Sequence, residues 1–169
     1  MTYLPADLYS TIEASIPIPC VDFVPVRRSA GQLEVGVILR ESPFGRVWCH
    51  LGGRVLYGET IRQAIDRHTL DSLGVHAIAE PDPQPDFVYQ WFPSSVAPDD
   101  GTAYGDDPRK HAIGLSFLIE IESEPVPRNE ALEFRYSDPQ ALPQRMWPGS
   151  ARLIAELVDR ARARLDADG

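Results

Sequence analysis

Gly52-Gly53-Arg54-Val55-Leu56-Tyr57-Gly58-Glu59-Thr60-Ile61-Arg62-Gln63-Ala64-Ile65-Asp66-Arg67-His68-Thr69-Leu70-Asp71-Ser72-Leu73-Gly74-Val75 is the stretch that decides the fold. It joins a strand to a helix through a glycine-rich loop. Ile61, Ala64, Ile65 and Leu73 recur at helical spacing along one side, which predicts a helix over 59–73. Glu59 and Thr60 open it, acid first, as the helix dipole favours. Gly74 ends it, where a left-handed C-terminal position favours glycine.

Upstream, Pro5 to Ser15 reads as a short amphipathic helix with Leu8 and Ile12 on one face. Pro17 and Pro19 then force an extended entry. Cys20 to Arg27 and Gln32 to Arg40 read as strands, the second alternating Leu33, Val35, Val37 and Leu39, and the turn between them predicts a hairpin. Ser42-Pro43-Phe44-Gly45 is a second turn, and Arg46 to Leu51 a short strand leading into the glycine loop. Downstream, Pro81, Pro83 and Pro85 mark a connector, and Phe87 to Phe92 is an aromatic-rich strand. Residues 93–110 show no periodicity and carry Asp99, Asp100, Asp106 and Asp107, an acidic loop or flap long enough to suggest function. His111 to Ile121 is the longest strand, and Glu133 to Tyr136 a short one, followed by a helical turn from Ser137. Ser150 caps a closing helix with a stripe of Ile154, Leu157, Val158, Ala161 and Leu165. Strands interleaved with three helices predict an α/β protein, an α/β/α sandwich on a mixed β-sheet, in a single domain spanning 1–169.

Composition is that of an ordinary globular chain, 43% hydrophobic and 24% charged over 169 residues. A net charge of −9 argues against nucleic acid or an anionic membrane as a bulk partner. It leaves room for a small phosphate-bearing ligand, which needs only a local basic cluster. Cys20 and Cys49 show neither a disulfide framework nor zinc spacing and read as buried thiols. With no signal-peptide pattern and no apolar run of membrane-spanning length, a cytoplasmic location is expected.

The central stretch resembles the Nudix box: Gly, five residues, Glu, seven residues, then Arg-Glu-apolar-any-Glu-Glu-any-Gly-apolar. Gly53, Glu59, Arg67, Gly74 and Val75 fall in register. The box is degenerate, because His68, Asp71 and Ser72 stand where the superfamily places metal-binding glutamates. Within the Nudix hydrolases the chain is most similar to the GDP-mannose mannosyl hydrolases, through Gly52-Gly53-Arg54-Val55, Thr69, Leu73 and the Asp22-Phe23 pair. The resemblance implies a Nudix-like fold and a Mg2+- or Mn2+-dependent hydrolase acting on a nucleoside diphosphate sugar or a related diphosphate. It also implies structural roles for Glu59, Arg67 and Gly74, with Arg67 pairing with Glu59. Asp22, Arg40 and Arg54 are the implied substrate-binding residues, Arg40 also stabilising the leaving group. A homodimer is compatible with it; the sequence does not give the oligomeric state.

The departures leave the chemistry open. Magnesium favours carboxylate oxygens, and positions 68, 71 and 72 share one helical face but supply an imidazole, one carboxylate and a hydroxyl. The mannosyl hydrolases' ligand glutamate corresponds to Ser72, and their base histidine to Ala131. A rebuilt site would draw metal ligands from the Gly53 carbonyl, Asp71 and Glu130, with His111, His68 or Glu130 as catalytic base. The alternatives are that His68 and Asp71 pair on a solvated helix face, that Glu130 is an ordinary loop acid, and that His111 bonds to backbone. Two functions follow: a hydrolase, or a catalytically silent Nudix-fold protein that binds a nucleotide or nucleotide sugar. Two or more carboxylates at metal-ligand distance around Gly53 favour the first; one or none favours the second.

Overall fold

The structure, a computed structural model, describes the backbone of residues 4–167 and the side chains of residues 4–164. The ends of the expected 1–169 domain and the Leu165 side chain lie outside that description. In chain order the elements are α1 (Ala6–Glu13), β1 (Ile18–Ser29), β2 (Gln32–Ser42), β3 (Gly45–Cys49), β4 (Leu51–Arg54), α2 (Ile61–Leu73), β5 (Ala77–Ile78), β6 (Phe87–Phe92), β7 (Gly105–Asp106), β8 (Ala112–Ile121), β9 (Glu133–Ser137) and α3 (Ser150–Ala167).

β1 organises the sheet. Along one edge it runs parallel to β8, from Ile18 opposite Ala112 to Pro25 opposite Ile119. Its other edge changes partner midway: Cys20 through Phe23 pair antiparallel with β4, and Val26 through Ser29 with β2. β2 in turn carries β3 and β9, while β6 and β7 extend the β8 side. The result is one curled mixed sheet of nine strands among the described residues. The expected hairpin forms with Ser29 opposite Gln32, so its loop is only Ala30-Gly31, both at positive φ. Alternation on β2 predicted one buried face, yet Val35, Val37 and Ile38 are all fully buried, because the curled sheet covers both faces there.

Helices sit on either side. α2 packs on β4, β1 and β5, and α3 packs on β6 and β8 through Leu153, Ile154, Leu157 and Val158. This is the α/β/α arrangement expected from the sequence. Gly53 opposes Val21 across the β4–β1 ladder and lies against His68 of α2, so Val21 faces that helix. Strand alternation then turns Cys20, Asp22 and their partners Gly114 and Ser116 to the opposite face.

Three of the differences from expectation bear on the site. α2 begins at Ile61 because Thr60 is its N-cap: Thr60 Oγ1 accepts from Gln63 N, and the Gln63 side chain accepts from Thr60 N. Glu59 therefore lies outside the helix. The predicted strand 46–51 is interrupted at His50, whose N–H donates to Ser150 Oγ (3.1 Å) rather than to a neighbouring strand. Ser150 is correspondingly the first helical residue of α3 and serves His50, while the Leu153 N–H is taken by the Gly149 carbonyl.

Candidate functional site

The glycine loop is braced from behind. Arg67 donates to both carboxylate oxygens of Glu59, Nε to Oε1 at 2.7 Å and Nη2 to Oε2 at 2.9 Å, and Nη2 also reaches the Arg54 carbonyl at 3.0 Å. Glu59 further accepts the Leu56 N–H (2.9 Å), and its side chain is only 2% exposed. The Arg67 guanidinium holds the Glu59 carboxyl below its usual range, against the opposing effect of burial. A Cβ added at Gly53 would lie 2.5 Å from the His68 ring, so glycine is what lets imidazole and strand pack together. His68 Nε2 lies 3.2 Å from the Arg54 carbonyl, an acceptor that places the proton on Nε2. Burial pushes the His68 pKa down, and the ring is neutral near pH 7.

On the opposite face lies a cleft of about 70 Å³ floored by Asp22. This carboxylate is buried, accepts Trp91 Nε1–H at 2.8 Å and faces His50 Nε2 at 3.5 Å. His50 stacks on Trp91 with ring centroids 5.0 Å apart, and its Nδ1 lies 3.0 Å from Ser150 Oγ. Ser150 Oγ also accepts the His50 N–H, so one hydroxyl holds both the backbone and the ring of His50. Cys20 and Cys49 also line the cleft; burial pushes both thiols up to about 12, so neither is a nucleophile at neutral pH.

The rim carries three basic side chains. Arg40 and Arg109 approach the same indole, their guanidinium carbons 5.9 and 5.0 Å from the Trp147 ring centroid. Trp147 is fixed by its Nε1–H on the Asp106 carbonyl (2.7 Å). Arg109 is clamped by Asp107 through Nε and Nη2, both at 2.8 Å. Burial raises the Asp107 pKa, but Arg109 outweighs it and the carboxyl lies below its usual value. Arg40 pairs with Glu130 at 2.7 Å, and Lys110 completes the rim. Arg109 spends two of its five N–H donors on Asp107, leaving others for a ligand. The arrangement suits an anion at the rim and a hydroxyl or amine donor at the Asp22 floor.

At the expected metal positions, His68, Ser72 and Glu130 have other partners and Asp71 is exposed. His68 is committed to the Arg54 carbonyl and does not pair with Asp71 on a solvated face. Asp71 is exposed, with its backbone carbonyl taken by Asn129 Nδ2 (2.6 Å). Ser72 is buried and donates to Glu130 Oε1 (3.3 Å), whose other oxygen is held by Arg40. Among the described residues no group of three His, Cys, Asp or Glu side chains is placed to hold an ion. This side-chain set does not fit a Nudix metal: a guanidinium stands beside the one carboxylate that reaches position 72.

Of the other sequence candidates, Asp22, Arg40 and Gly53 line the cleft. Arg54 lies beside it, its guanidinium carbon 4.1 Å from the centre of the Tyr9 ring. His111 is not brought to them. Its ring stacks on Phe92 (centroids 4.1 Å) while its neighbours Lys110 and Ala112 line the cleft, as alternation along an extended chain requires. Its Nε2 is buried without a hydrogen-bond partner, and burial pushes its pKa down. Glu130, expected as base or ligand, is an Arg40 partner. Sequence reasoning missed His50, Trp91, Arg109, Lys110 and Trp147. The one local cue was Asp107-Pro108-Arg109, an Asx-type turn that clamps its own arginine.

Comparison with known proteins places this geometry. A family profile described as "Domain of unknown function (DUF4916)" matches residues 2–165. No curated protein matches the chain. Among solved structures, a Jonesia denitrificans protein described as a possible asymmetric diadenosine tetraphosphate hydrolase is 29% identical, covering 88% of this chain and 96% of that one, with a TM-score of 0.75. A MutT Nudix hydrolase from Burkholderia pseudomallei is 16% identical over 85% of this chain and 99% of its own (TM-score 0.66). The Nudix domain of Shewanella oneidensis NrtR, solved with ADP ribose, is 18% identical over 96% and 99% (TM-score 0.58). With its sandwich, its braced glycine loop and these neighbours, the chain has the Nudix fold, and it belongs to the DUF4916 family.

Proposed function

We propose that the protein binds a nucleoside diphosphate or nucleotide sugar in the Asp22 cleft and holds its diphosphate with arginine and lysine rather than with a metal ion. The observation that carries this reading is the convergence of Arg40 and Arg109 on Trp147, beside Gly53, with no group of three metal-binding side chains among the described residues. Asp22 repels phosphate, so the phosphates lie at the rim and a ligand hydroxyl or amine meets the buried carboxylate. The ligands in the relatives' descriptions, ADP ribose and diadenosine tetraphosphate, both contain linked phosphates and ribose hydroxyls. The protein is then a cytoplasmic ligand-binding member of a hydrolase fold.

A second reading, a Mg2+- or Mn2+-dependent hydrolase of such compounds, is favoured by one feature: the Glu59–Arg67–Arg54 brace on the glycine loop is complete. Calorimetry with ADP, ADP ribose and GDP-mannose, combined with chromatography of each mixture, separates the two. Binding weakened by Arg109→Ala with intact ligand recovered supports the binder. Release of a nucleotide or sugar product in the presence of either metal supports the hydrolase.

A further inference from the structure

Next to the polar cleft lies a second cavity of a different kind. It has a volume of about 780 Å³ and runs between α1 and the glycine loop, lined by Tyr9, Ile12, Ile16, Ile18, Arg54 and Tyr57 among others. α1 buries none of its residues, and Ile16 and Tyr57 stay largely exposed, so this groove is open.

The two cavities are consecutive along the same two strands. Cys20 lines the cleft and Ile18 the groove; on β4, Gly53 lines the cleft and Arg54 the groove. Cys20 and Arg54 are direct partners in the β1–β4 ladder, so their side chains share one face. From Cys20 to Ile18 the chain advances two residues, about 7 Å, so the groove begins one side chain along the same face from the cleft. Arg54 stands at the boundary with its guanidinium over the Tyr9 ring. α1 also bears on the cleft's own cation, since Glu13 acts electrostatically on Arg109.

We propose that this groove is the base subsite of the same ligand. The planar base of a nucleoside diphosphate lies against the stacked Tyr9–Arg54 pair on one side and the apolar wall of Ile12, Ile16 and Ile18 on the other, while its phosphates occupy the Arg40–Arg109 rim. The inference rests on the binding reading above and adds where the base goes. Stacking and burial dominate here, because the lining offers few fixed hydrogen-bonding groups. ADP, GDP and UDP should therefore bind with similar affinity, purines somewhat better than pyrimidines, since every base has a face to stack.

The test compares ADP with inorganic pyrophosphate in the wild type, Tyr9→Ala, Tyr9→Phe and Leu8→Ala. Leu8 is on α1 but outside the groove lining, so its variant controls for general loss of the helix. The wild type is expected to bind ADP at least about tenfold more tightly than pyrophosphate, and Tyr9→Ala to weaken ADP by roughly five- to a hundredfold. Pyrophosphate affinity should not change, Tyr9→Phe should restore ADP binding, and Leu8→Ala should leave both ligands unaffected. Equal affinity for ADP and pyrophosphate in the wild type, or ADP binding indifferent to Tyr9→Ala, overturns the subsite while leaving the phosphate cleft standing. A dimer on sedimentation that Tyr9→Ala dissociates, with ADP affinity unchanged, assigns the groove to a second copy of the chain and also overturns it. Failure of both ligands to bind overturns the binding reading itself, and the subsite with it.

Discussion

Arg67→Ala is the perturbation whose cost follows most directly from the geometry. Glu59 is almost fully buried, and both its oxygens are held by Arg67, with the Leu56 N–H as a further donor. Removing one partner of a buried pair costs about 3–5 kcal/mol, chiefly because the remaining charge is left without compensation. Arg67 is itself partly exposed and the Leu56 hydrogen bond survives, so the lower end, about 3 kcal/mol, is expected. For a chain of this size each kcal/mol lowers Tm by about 2–4 °C, giving a drop of roughly 6–12 °C in a thermal melt at neutral pH. The pH dependence has a definite sign. The Glu59 pKa is depressed in the folded protein, so its stabilisation is fully present above the unfolded value near about 4.3 and is lost as pH falls through the folded value. The gap between wild type and Arg67→Ala should therefore narrow in acid. Glu59→Gln combined with Arg67→Ala should recover part of the loss, since an amide needs no counter-charge. A Tm change of less than about 2 °C at neutral pH, or a gap that stays constant into acid, would refute the brace.

Three further outcomes follow from the same geometry. Gly53→Ala must displace the His68 ring and its bond to the Arg54 carbonyl, costing about 1–3 kcal/mol in urea denaturation; an unchanged midpoint contradicts the packing. The folded-state pKa of His68 is depressed by burial, so its contribution is intact above about 6.5 and lost as pH falls through the folded value. His68→Gln keeps a donor towards Arg54 and should flatten part of the decline in Tm below pH ~6.5, with His111, which shifts the same way, contributing to what remains. Trp91→Phe strips the buried Asp22 carboxylate of its 2.8 Å donor and should destabilise the protein by about 1.5–3 kcal/mol; wild-type stability in chemical denaturation would show that Asp22 is served otherwise.

How much of this was written locally depends on the element. α2 was legible from Ile61, Ala64, Ile65, Leu73 and Gly74, because helical spacing and a glycine stop are local properties. Its start was misplaced by two residues because Glu59 was assigned to the helix dipole, whereas its carboxylate turns back to Arg67. Thr60 and Gln63 already spell the capping box that marks the true start. The hairpin of β1 and β2 was legible from its turn. The curl of the sheet was not, since β1 changes partner from β4 to β2 through pairings that no local pattern encodes.

The site divides in the same way. Gly53 was found because it matches a position of the box, Asp22 and Arg40 through the wider family resemblance. His50, Trp91, Arg109 and Trp147 come from a strand break, β6, the end of the acidic flap and the approach to α3, and meet only in the folded chain. The acidic count of residues 93–110 concealed the feature that matters there, a single arginine clamped by Asp107 and turned to the cleft. For His111 and Lys110 the difference is one residue of register: along an extended chain that moves a side chain to the other face, and Lys110 is the one that reaches the rim.

The central claim is that a cationic rim takes the place of a metal in this Nudix fold. The most direct measurement is calorimetric titration of ADP into the protein, first in a chelator and then in excess magnesium. The account expects the same affinity in both, and a loss of binding in either buffer when Arg109 is replaced by alanine. Binding that appears only with magnesium would show the two to be thermodynamically coupled, and magnesium bound tightly by the protein alone would show a metal site; either result contradicts it.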